Sequence, residues 1–140
     1  MRSRPWDSNS DKVREFVTDG RVRPASMLYD PAGQCIGRYD KMHLFDVTVD
    51  DRQANYSESR SFEPGDTVVA IDTPIARIGM SICYDLRFPE LYRRLAGMEC
   101  ELLTVPSAFT QVTGAAHWEV LLRARAIENQ CYVLAPNQGG

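Results

Sequence analysis

The sequence predicts an α/β fold built from layers of strands and helices. In the second half of the 140-residue chain, short apolar runs alternate with segments of helical periodicity, and this alternation is typical of α/β structures. The composition, with 44% hydrophobic and 25% charged residues, is that of a globular protein. A chain of this length fits one domain and can bury roughly two thirds of its unfolded surface, so we expect a single core.

The first half of the chain predicts a hairpin followed by a long loop. Residues 1–24 are polar and carry charges of both signs, so we expect a loop or a ragged edge that precedes the domain of residues 25–140. A loop of about twenty residues inside a compact domain is usually functional. In chain order, the predicted elements are a strand at 25–30, a turn at 31–34 built on Pro31 and Gly33, a strand at 35–45 and an acidic loop at 46–66.

The second half predicts alternating strands and helices. A helix at 89–97 has proline at its first position and a glycine as its stop. A second helix at 115–129 pairs Glu119 with Arg123 at i, i+4. It also places four apolar residues on one face, namely Val120, Leu121, Ala124 and Ile127. The other elements are two hairpin strands at 67–73 and 76–85, a strand at 101–109 and a last strand at 130–137.

Charge and composition argue against several classes of partner. The net charge of −3 gives no reason to expect binding to nucleic acid or to an anionic membrane. No apolar run approaches the roughly 18 residues of a membrane span, and residues 1–12 lack the apolar core of a secretory signal. Two histidines without zinc-like spacing indicate no metal site. The four cysteines form no CxxC pair, so we expect reduced thiols and a cytoplasmic protein. We also expect no cofactor.

One of these cysteines, Cys83, ends the apolar run 79–83, just before the predicted helix at 89–97. Free cysteine often serves as a small buried hydrophobic residue, and that interpretation stays open from the local sequence. The alternative is a nucleophile, because backbone N–H groups and the positive end of a helix dipole both favour a thiolate. The same N–H groups can hold an oxyanion.

A nucleophilic thiol needs a cation or a base beside it, and the sequence offers three candidates. Lys41 lies among apolar residues near the end of a predicted strand, although a surface lysine is the commoner role in such a context. Glu58 lies in the long loop, where a solvated carboxylate is common. His117 lies near the start of the second helix and could form a Cys–His dyad, although such a histidine more often packs or caps.

Several motifs, in order along the chain, resemble the nitrilase superfamily, also called carbon–nitrogen hydrolases. The resemblance runs from about Ala25 to Gly140 and is similar to the amidase branch that includes omega-amidases and deaminated-glutathione amidases. It is specific because separate motifs agree in order. The motifs are YDKMHLFDV at 39–47, the ES…PGD loop at 58–66, GMSICYDLRFPELYRRL at 79–95 and PSAFTQVTGAAHWEVLLRARAIENQCYV at 106–133.

The resemblance implies a role for each of these positions. Cys83 corresponds to the nucleophile, Lys41 to the lysine and Glu58 to the second glutamate of the family, while the backbone N–H of Tyr84 would help Lys41 to hold the oxyanion. It also implies an α–β–β–α sandwich, a small amide substrate, possible action on nitriles, and a homodimer for the full domain. By the same resemblance, the substrate pocket would include Ser107, Ala108 and Phe109.

The general-base glutamate of the family is the one group without a counterpart. In the family it follows an apolar run many tens of residues before the lysine, whereas 40 residues precede Lys41 here and Glu15 has no such run before it. We therefore expect a chain truncated at both ends, a partial sandwich with exposed sheet edges and impaired amide turnover. Two alternatives remain: a Cys–His hydrolase using Cys83 and His117, and a non-catalytic fragment or binding protein.

Overall fold

A computed structural model describes residues 21–48 and 55–138. Within these ranges the chain forms eight strands and two helices: β1 Ala25–Tyr29, β2 Cys35–Asp40, β3 Asp46–Thr48, β4 Asn55–Ser57, β5 Ala70–Asp72, β6 Arg77–Met80, α1 Pro89–Gly97, β7 Leu102–Thr104, α2 Gln111–Asn129 and β8 Tyr132–Leu134. Two short 3₁₀ turns, Glu58–Arg60 and Cys83–Arg87, lie between these elements. The mixed α/β architecture confirms the predicted fold class.

Three sheets organise these strands. The largest has the order β5-β6-β7-β8, with β5 antiparallel to β6 and the other three strands parallel to one another. The hairpins β1-β2 and β3-β4 form two separate antiparallel sheets. The turn between β1 and β2 holds Gly33 at φ 80°, a left-handed conformation that glycine adopts without strain, as its predicted turn position requires.

The core lies between the four-stranded sheet and α1. Three residues of α1 are buried, Leu91, Tyr92 and Leu95, and they pack with Leu103 of β7. An added Cβ on Gly79 would lie 2.9 Å from a methyl carbon of Leu103, so this glycine permits the close approach of helix and sheet. Burial of several large apolar side chains at roughly 1.5–3 kcal/mol each makes this interface the main source of stability.

The structure corrects the boundaries of several predicted elements. The predicted loop at 46–66 contains the β3-β4 hairpin. The sequence did not predict this hairpin because its two strands have three residues each and show no clear apolar alternation. The strand predicted to Phe45 ends at Asp40, because Lys41 donates its N–H to Pro24 instead of a partner in β1. Helix α2 begins at Gln111, four residues earlier than predicted, since the Thr110 hydroxyl caps the N–H of Thr113.

Helix α2 contacts the core through a different set of residues from those the sequence grouped. Val120 and Ile127 are 67% and 75% exposed, so the apolar face drawn from periodicity is only partly buried. The stripe that meets the core consists of Trp118, Leu121, Leu122 and the buried Arg125. The predicted pair of Glu119 and Arg123 is present at 3.0 Å on the exposed side.

The residues that precede β1 contact the long loop. Val22 bridges to Phe62, and its backbone accepts a hydrogen bond from the N–H of Glu63. The remainder of the predicted polar segment, residues 1–20, lies outside the described residues, as does Glu15. No helix of the described residues is long and apolar enough to cross a membrane.

Candidate active site

Cys83 lies just beyond the carboxyl end of β6, at the first position of a 3₁₀ turn. The strand itself ends at Met80, but its parallel pairing continues, with Ser81 N–H donating to Thr104 and Cys83 N–H donating to Pro106 at 3.0 Å each. The turn then gives Cys83 a φ of 49°, in the left-handed region that a non-glycine residue rarely occupies. Backbone strain of this kind is concentrated at functional sites, where surrounding structure maintains it.

A cavity of about 720 Å³ opens at the carboxyl ends of the parallel strands. Cys83 follows β6, the segment 106–110 follows β7, and Asn137 and Gln138 follow β8, and all of them line this cavity. Ligands of α/β sheets bind in the crevice at this end of the strands. All three predicted pocket residues, Ser107, Ala108 and Phe109, are part of the wall.

Lys41 and Glu58 also line the cavity and contact each other. Their side chains form an ion pair with 2.5 Å between Nζ and Oε2. The same Glu58 oxygen accepts the backbone N–H of Phe45 at 2.8 Å, and the N–H of Glu58 donates to the carbonyl of Phe45. Lys41 is only 2% exposed, and Glu58 supplies the partner that a buried cation needs, because an unpaired buried charge is strongly unfavourable.

Gly65, in the long predicted loop, contacts the backbone of Lys41. The N–H of Gly65 donates to the carbonyl of Lys41 at 2.8 Å. An added Cβ on Gly65 would lie 2.4 Å from the carbonyl oxygen of Asp40, so no larger residue fits without moving the backbone. This close packing explains how a loop remote from β2 in sequence helps to fix the position of the lysine.

A fully buried carboxylate, Asp85, lies two residues after Cys83. It accepts four hydrogen bonds: Oδ1 accepts from the backbone N–H of His43 at 3.0 Å and contacts His43 Nδ1 at 2.7 Å, and Oδ2 accepts from the Tyr39 hydroxyl at 2.7 Å and from Ile82 N–H at 2.8 Å. Burial and the neighbouring carboxylate raise the pKa of Tyr39 far above its ordinary value, so its hydroxyl remains a donor.

Aromatic rings and one cation also line the cavity. The ring of Phe45 packs against those of Tyr56 and Tyr84, with centroids 5.0 and 4.9 Å apart. The Arg87 guanidinium lies 5.4 Å from the Phe109 centroid and 6.0 Å from that of Tyr84. Arg87 lines the cavity, and no carboxylate of the described residues forms an ion pair with it.

His117 takes a different position from the other candidates. Its Nδ1 lies 3.2 Å from a guanidinium nitrogen of Arg87, and its side chain is not part of the cavity wall. Cys83, Lys41 and Glu58 therefore line one cavity, whereas His117 contacts Arg87 and lies outside the cavity lining. Within residues 21–48 and 55–138, no three histidine, cysteine or acidic side chains cluster as a metal site would require.

The sequence profile of the carbon–nitrogen hydrolases matches residues 10–140. The chain belongs to the carbon–nitrogen hydrolase family. A deaminated glutathione amidase of Yersinia enterocolitica is 51% identical over 119 residues, which are 85% of this chain and 42% of that protein. The human omega-amidase is 43% identical over 114 residues, which are 81% of this chain and 41% of that protein.

Solved structures agree with the sequence comparison. The crystal structure of the C. elegans NitFhit protein superimposes with a TM-score of 0.78 at 46% identity, covering 86% of this chain and 29% of that one. The motif-based identification of the family and of its sandwich fold is confirmed. The chain spans about two fifths of the length of the curated relatives it matches.

Sequence reasoning missed two side chains that shape this carbon–nitrogen hydrolase site. Asp85 and Arg87 stand in the same motif as Cys83, and neither was assigned a role from the sequence. The available signal was an acidic residue directly after an apolar strand end, where a carboxylate can receive backbone N–H groups. Its full burial could not be read from one sequence, because the donors come from a segment some forty residues earlier.

Proposed function

We propose that this chain carries the nucleophile of an amidase that hydrolyses carbon–nitrogen bonds through a cysteine thioester. The single observation that carries the proposal is that Cys83 shares one cavity with the Lys41–Glu58 ion pair. A lysine cation near a thiol favours the thiolate, and the carboxylate holds the lysine in place. Membership of a family of amidases supports the same conclusion.

The chemistry follows from these positions. The Cys83 thiolate attacks the amide carbon, so that an S–C bond forms and the carbonyl π electrons move to oxygen. In this proposal Lys41 and the backbone N–H of Tyr84 stabilise the negative oxygen, an interaction whose loss typically costs about 10²–10³ in rate. The C–N bond then breaks, and ammonia leaves after receiving a proton. Water hydrolyses the thioester, which releases a carboxylic acid and the free thiol.

The proton transfers require a further carboxyl group. Among the described residues that line the cavity, Glu58 is the one carboxylate, and Lys41 already engages it. One well-placed acid could protonate the leaving ammonia and then activate the water. We propose that the group corresponding to the family's first glutamate supplies this function, and that without it turnover falls by about 10²–10⁴.

The substrate we propose is a small amide that also carries a carboxylate. Arg87 presents a cation to the cavity, held between the rings of Tyr84 and Phe109. A planar guanidinium binds carboxylates in a bidentate manner. The names of the relatives, deaminated glutathione amidase and omega-amidase, describe enzymes of the same class of reaction. For the full-length protein we further propose a homodimer and a cytoplasmic location.

The test is ammonia release from a dicarboxylic acid monoamide. We expect turnover in a protein that includes sequence upstream of Met1, none after Cys83→Ala, and a raised KM after Arg87→Met because substrate binding loses its cation. The 140-residue chain alone should be much slower. Equal rates for the short and extended proteins would show that a carboxylate within these residues, Glu15 or another, is the base.

A Cys–His hydrolase is the second candidate, and His117→Ala separates the two. Under our proposal this change leaves the nucleophile active, because His117 contacts Arg87 and does not line the cavity. A loss of ammonia release in His117→Ala as complete as that in Cys83→Ala would favour the dyad. No ammonia release from any amide, with Cys83 also inert to alkylation, would instead indicate a non-catalytic protein.

A further inference from the structure

The four hydrogen bonds to Asp85 join two segments that carry different parts of the site. Tyr39 and His43 flank Lys41 by two residues on each side, whereas Ile82 directly precedes Cys83. Oδ1 is bonded to His43 through both its backbone N–H and its ring, and Oδ2 is shared between Tyr39 and Ile82. One side chain therefore links the lysine segment to the cysteine turn.

The donors around Asp85 are themselves held in place. The imidazole of His43 stacks on Phe88 with centroids 3.7 Å apart and an interplanar angle of 7°. The Tyr39 hydroxyl accepts the N–H of Met42 at 3.2 Å, so it connects the residue after Lys41 to the same carboxylate. Asp85 is 0% exposed, and its bonds span 42 to 46 residues in sequence except for the local bond to Ile82.

A contribution to stability alone is a weak explanation for this arrangement. Removing a carboxylate from water costs several kcal/mol, and buried charges often stabilise a fold less than apolar residues of equal size would. Fixed geometry is the compensating benefit where reacting groups must be held together, because small misplacements are costly in rate. Cys83 also needs support from its surroundings, since its φ of 49° is unfavourable for a non-glycine residue.

We propose that Asp85 is a positioning residue that fixes the Cys83 turn against the Lys41 segment and thereby sets the reactivity of the thiol. The inference rests on the proposed function in so far as Cys83 is the nucleophile. Asp85 does not line the cavity, so it acts through Ile82, Tyr39 and His43 rather than on substrate.

The test measures alkylation of Cys83 by iodoacetamide in the intact chain, in which the Sγ–carbon bond forms and iodide leaves. Peptide mass spectrometry gives a separate rate for each of the four cysteines. In Asp85→Asn, one oxygen acceptor becomes an NH₂ group that faces N–H and O–H donors. We expect the Cys83 rate at pH 7 to fall roughly tenfold, with no fall in the rate at Cys35.

A matched pair of tyrosines keeps the test independent of folding. Tyr39 and Tyr92 are both fully buried, and each hydroxyl makes one short side-chain hydrogen bond, Tyr39 to Asp85 and Tyr92 to Ser81 at 2.8 Å. Both changes remove a buried hydrogen bond, and we expect the free energy of unfolding to fall by about 1 kcal/mol in Tyr92→Phe and by roughly 1.5–3 kcal/mol in Tyr39→Phe, whose partner is charged. The labelling rates are therefore compared under conditions in which both variants are fully folded. Only Tyr39→Phe should lower the alkylation rate of Cys83, and the decrease should be smaller than in Asp85→Asn.

The pH profile separates positioning from loss of structure. The charged and titratable groups near Cys83 fall into two sets. Those that line the cavity are Lys41, Glu58, Arg87, Tyr56 and Tyr84. Those outside it are Tyr92, which bonds Ser81, the pair of Asp85 and His43, and His117, which contacts Arg87. Ordinary thiols ionise near pH 8.5 without help. The deficit of Tyr39→Phe should therefore shrink as the pH approaches 10, whereas a partly unfolded variant would label the buried Cys100 faster at every pH.

Each outcome decides the question. Equal Cys83 rates in Tyr39→Phe and Tyr92→Phe, with wild-type Cys83 more reactive than Cys35, would overturn the role of Asp85 and leave the proposed function intact. A wild-type Cys83 that labels no faster than Cys35 would instead overturn the proposed function. If Cys83 is labelled more slowly in Tyr39→Phe but not in Tyr92→Phe, and the rate recovers at high pH, the result supports both the role of Asp85 and the proposed function.

Discussion

The two walls of the cavity are held by different ranges of the chain. The cysteine wall, Ile82, Cys83, Tyr84 and Arg87, comes from one short segment that follows β6. The lysine wall, Lys41, Phe45, Tyr56 and Glu58, joins the segment after β2 to β4 and the 3₁₀ turn that follows it, and its ion pair spans 17 positions. The residues of the cysteine wall are therefore close together mainly because they are neighbours in sequence, whereas those of the lysine wall are brought together by tertiary contacts. The difference predicts which substitutions remove chemistry and which only loosen geometry.

The largest expected effect is at the cysteine wall. In the full-length protein, Cys83→Ala should abolish ammonia release, because Cys83 is the one thiol among the described residues that line the cavity. Cys35→Ala, Cys100→Ser and Cys131→Ala should leave chemistry intact apart from stability. Peptide mapping after iodoacetamide treatment of the folded chain checks the assignment, and preferential labelling of one of those three cysteines would contradict it.

At the lysine wall, Lys41→Met should lower kcat by about 10²–10³ because the oxyanion loses its cation. Glu58→Gln should act in the same direction, since the buried lysine loses its counter-charge. The matched control is Arg38→Met, which breaks the 2.8 Å ion pair with Asp40 on the same strand. An Arg38→Met enzyme as slow as Lys41→Met would show that loss of charge on this strand, and not the lysine itself, is responsible.

Two glycines sharpen the comparison between tertiary and local control. Gly65→Ala places a Cβ against the backbone of Asp40 and should cost roughly 1–3 kcal/mol of unfolding free energy, together with part of the activity. Gly97→Ala, at the end of α1, meets open space and should be neutral or slightly stabilising. Urea denaturation measures both. A tolerated Gly65→Ala would mean that the loop does not fix Lys41.

The smallest effect we predict is a loss of stability in alkali. Burial raises the pKa of Cys100 and Cys131 above 9.0 and that of Tyr39 and Tyr92 far above 10.0. Above these ordinary values the unfolded chain releases protons that the folded chain retains, so the stability present below about pH 9 declines as the pH rises. Denaturation between pH 8 and 11 tests this. Tyr39→Phe and Tyr92→Phe should each flatten the decline above pH 10, and an unchanged slope would contradict the burial argument.

Prediction from sequence succeeded where local chemistry fixes the structure. The bounds of α1 agree with its proline and glycine signals, and the β1-β2 turn forms around Gly33 as predicted. It failed at β3, β4 and the start of α2, where short polar segments give no periodic signal. The apolar face of α2 shows the limit most clearly, because periodicity groups Val120 with Leu121 but does not say which elements cover them.

Motif order and strand–helix alternation are properties of the chain alone, so they were enough to identify the family and the α/β class and to single out Cys83, Lys41 and Glu58 as candidates. The tertiary structure decided that Lys41 is buried and paired with Glu58, that Arg87 faces the cavity, and that His117 stands outside it. It also decided that Asp85 links the two walls. The physical reason is that burial and hydrogen-bond partners depend on which distant segments meet, and a single sequence does not contain those distances.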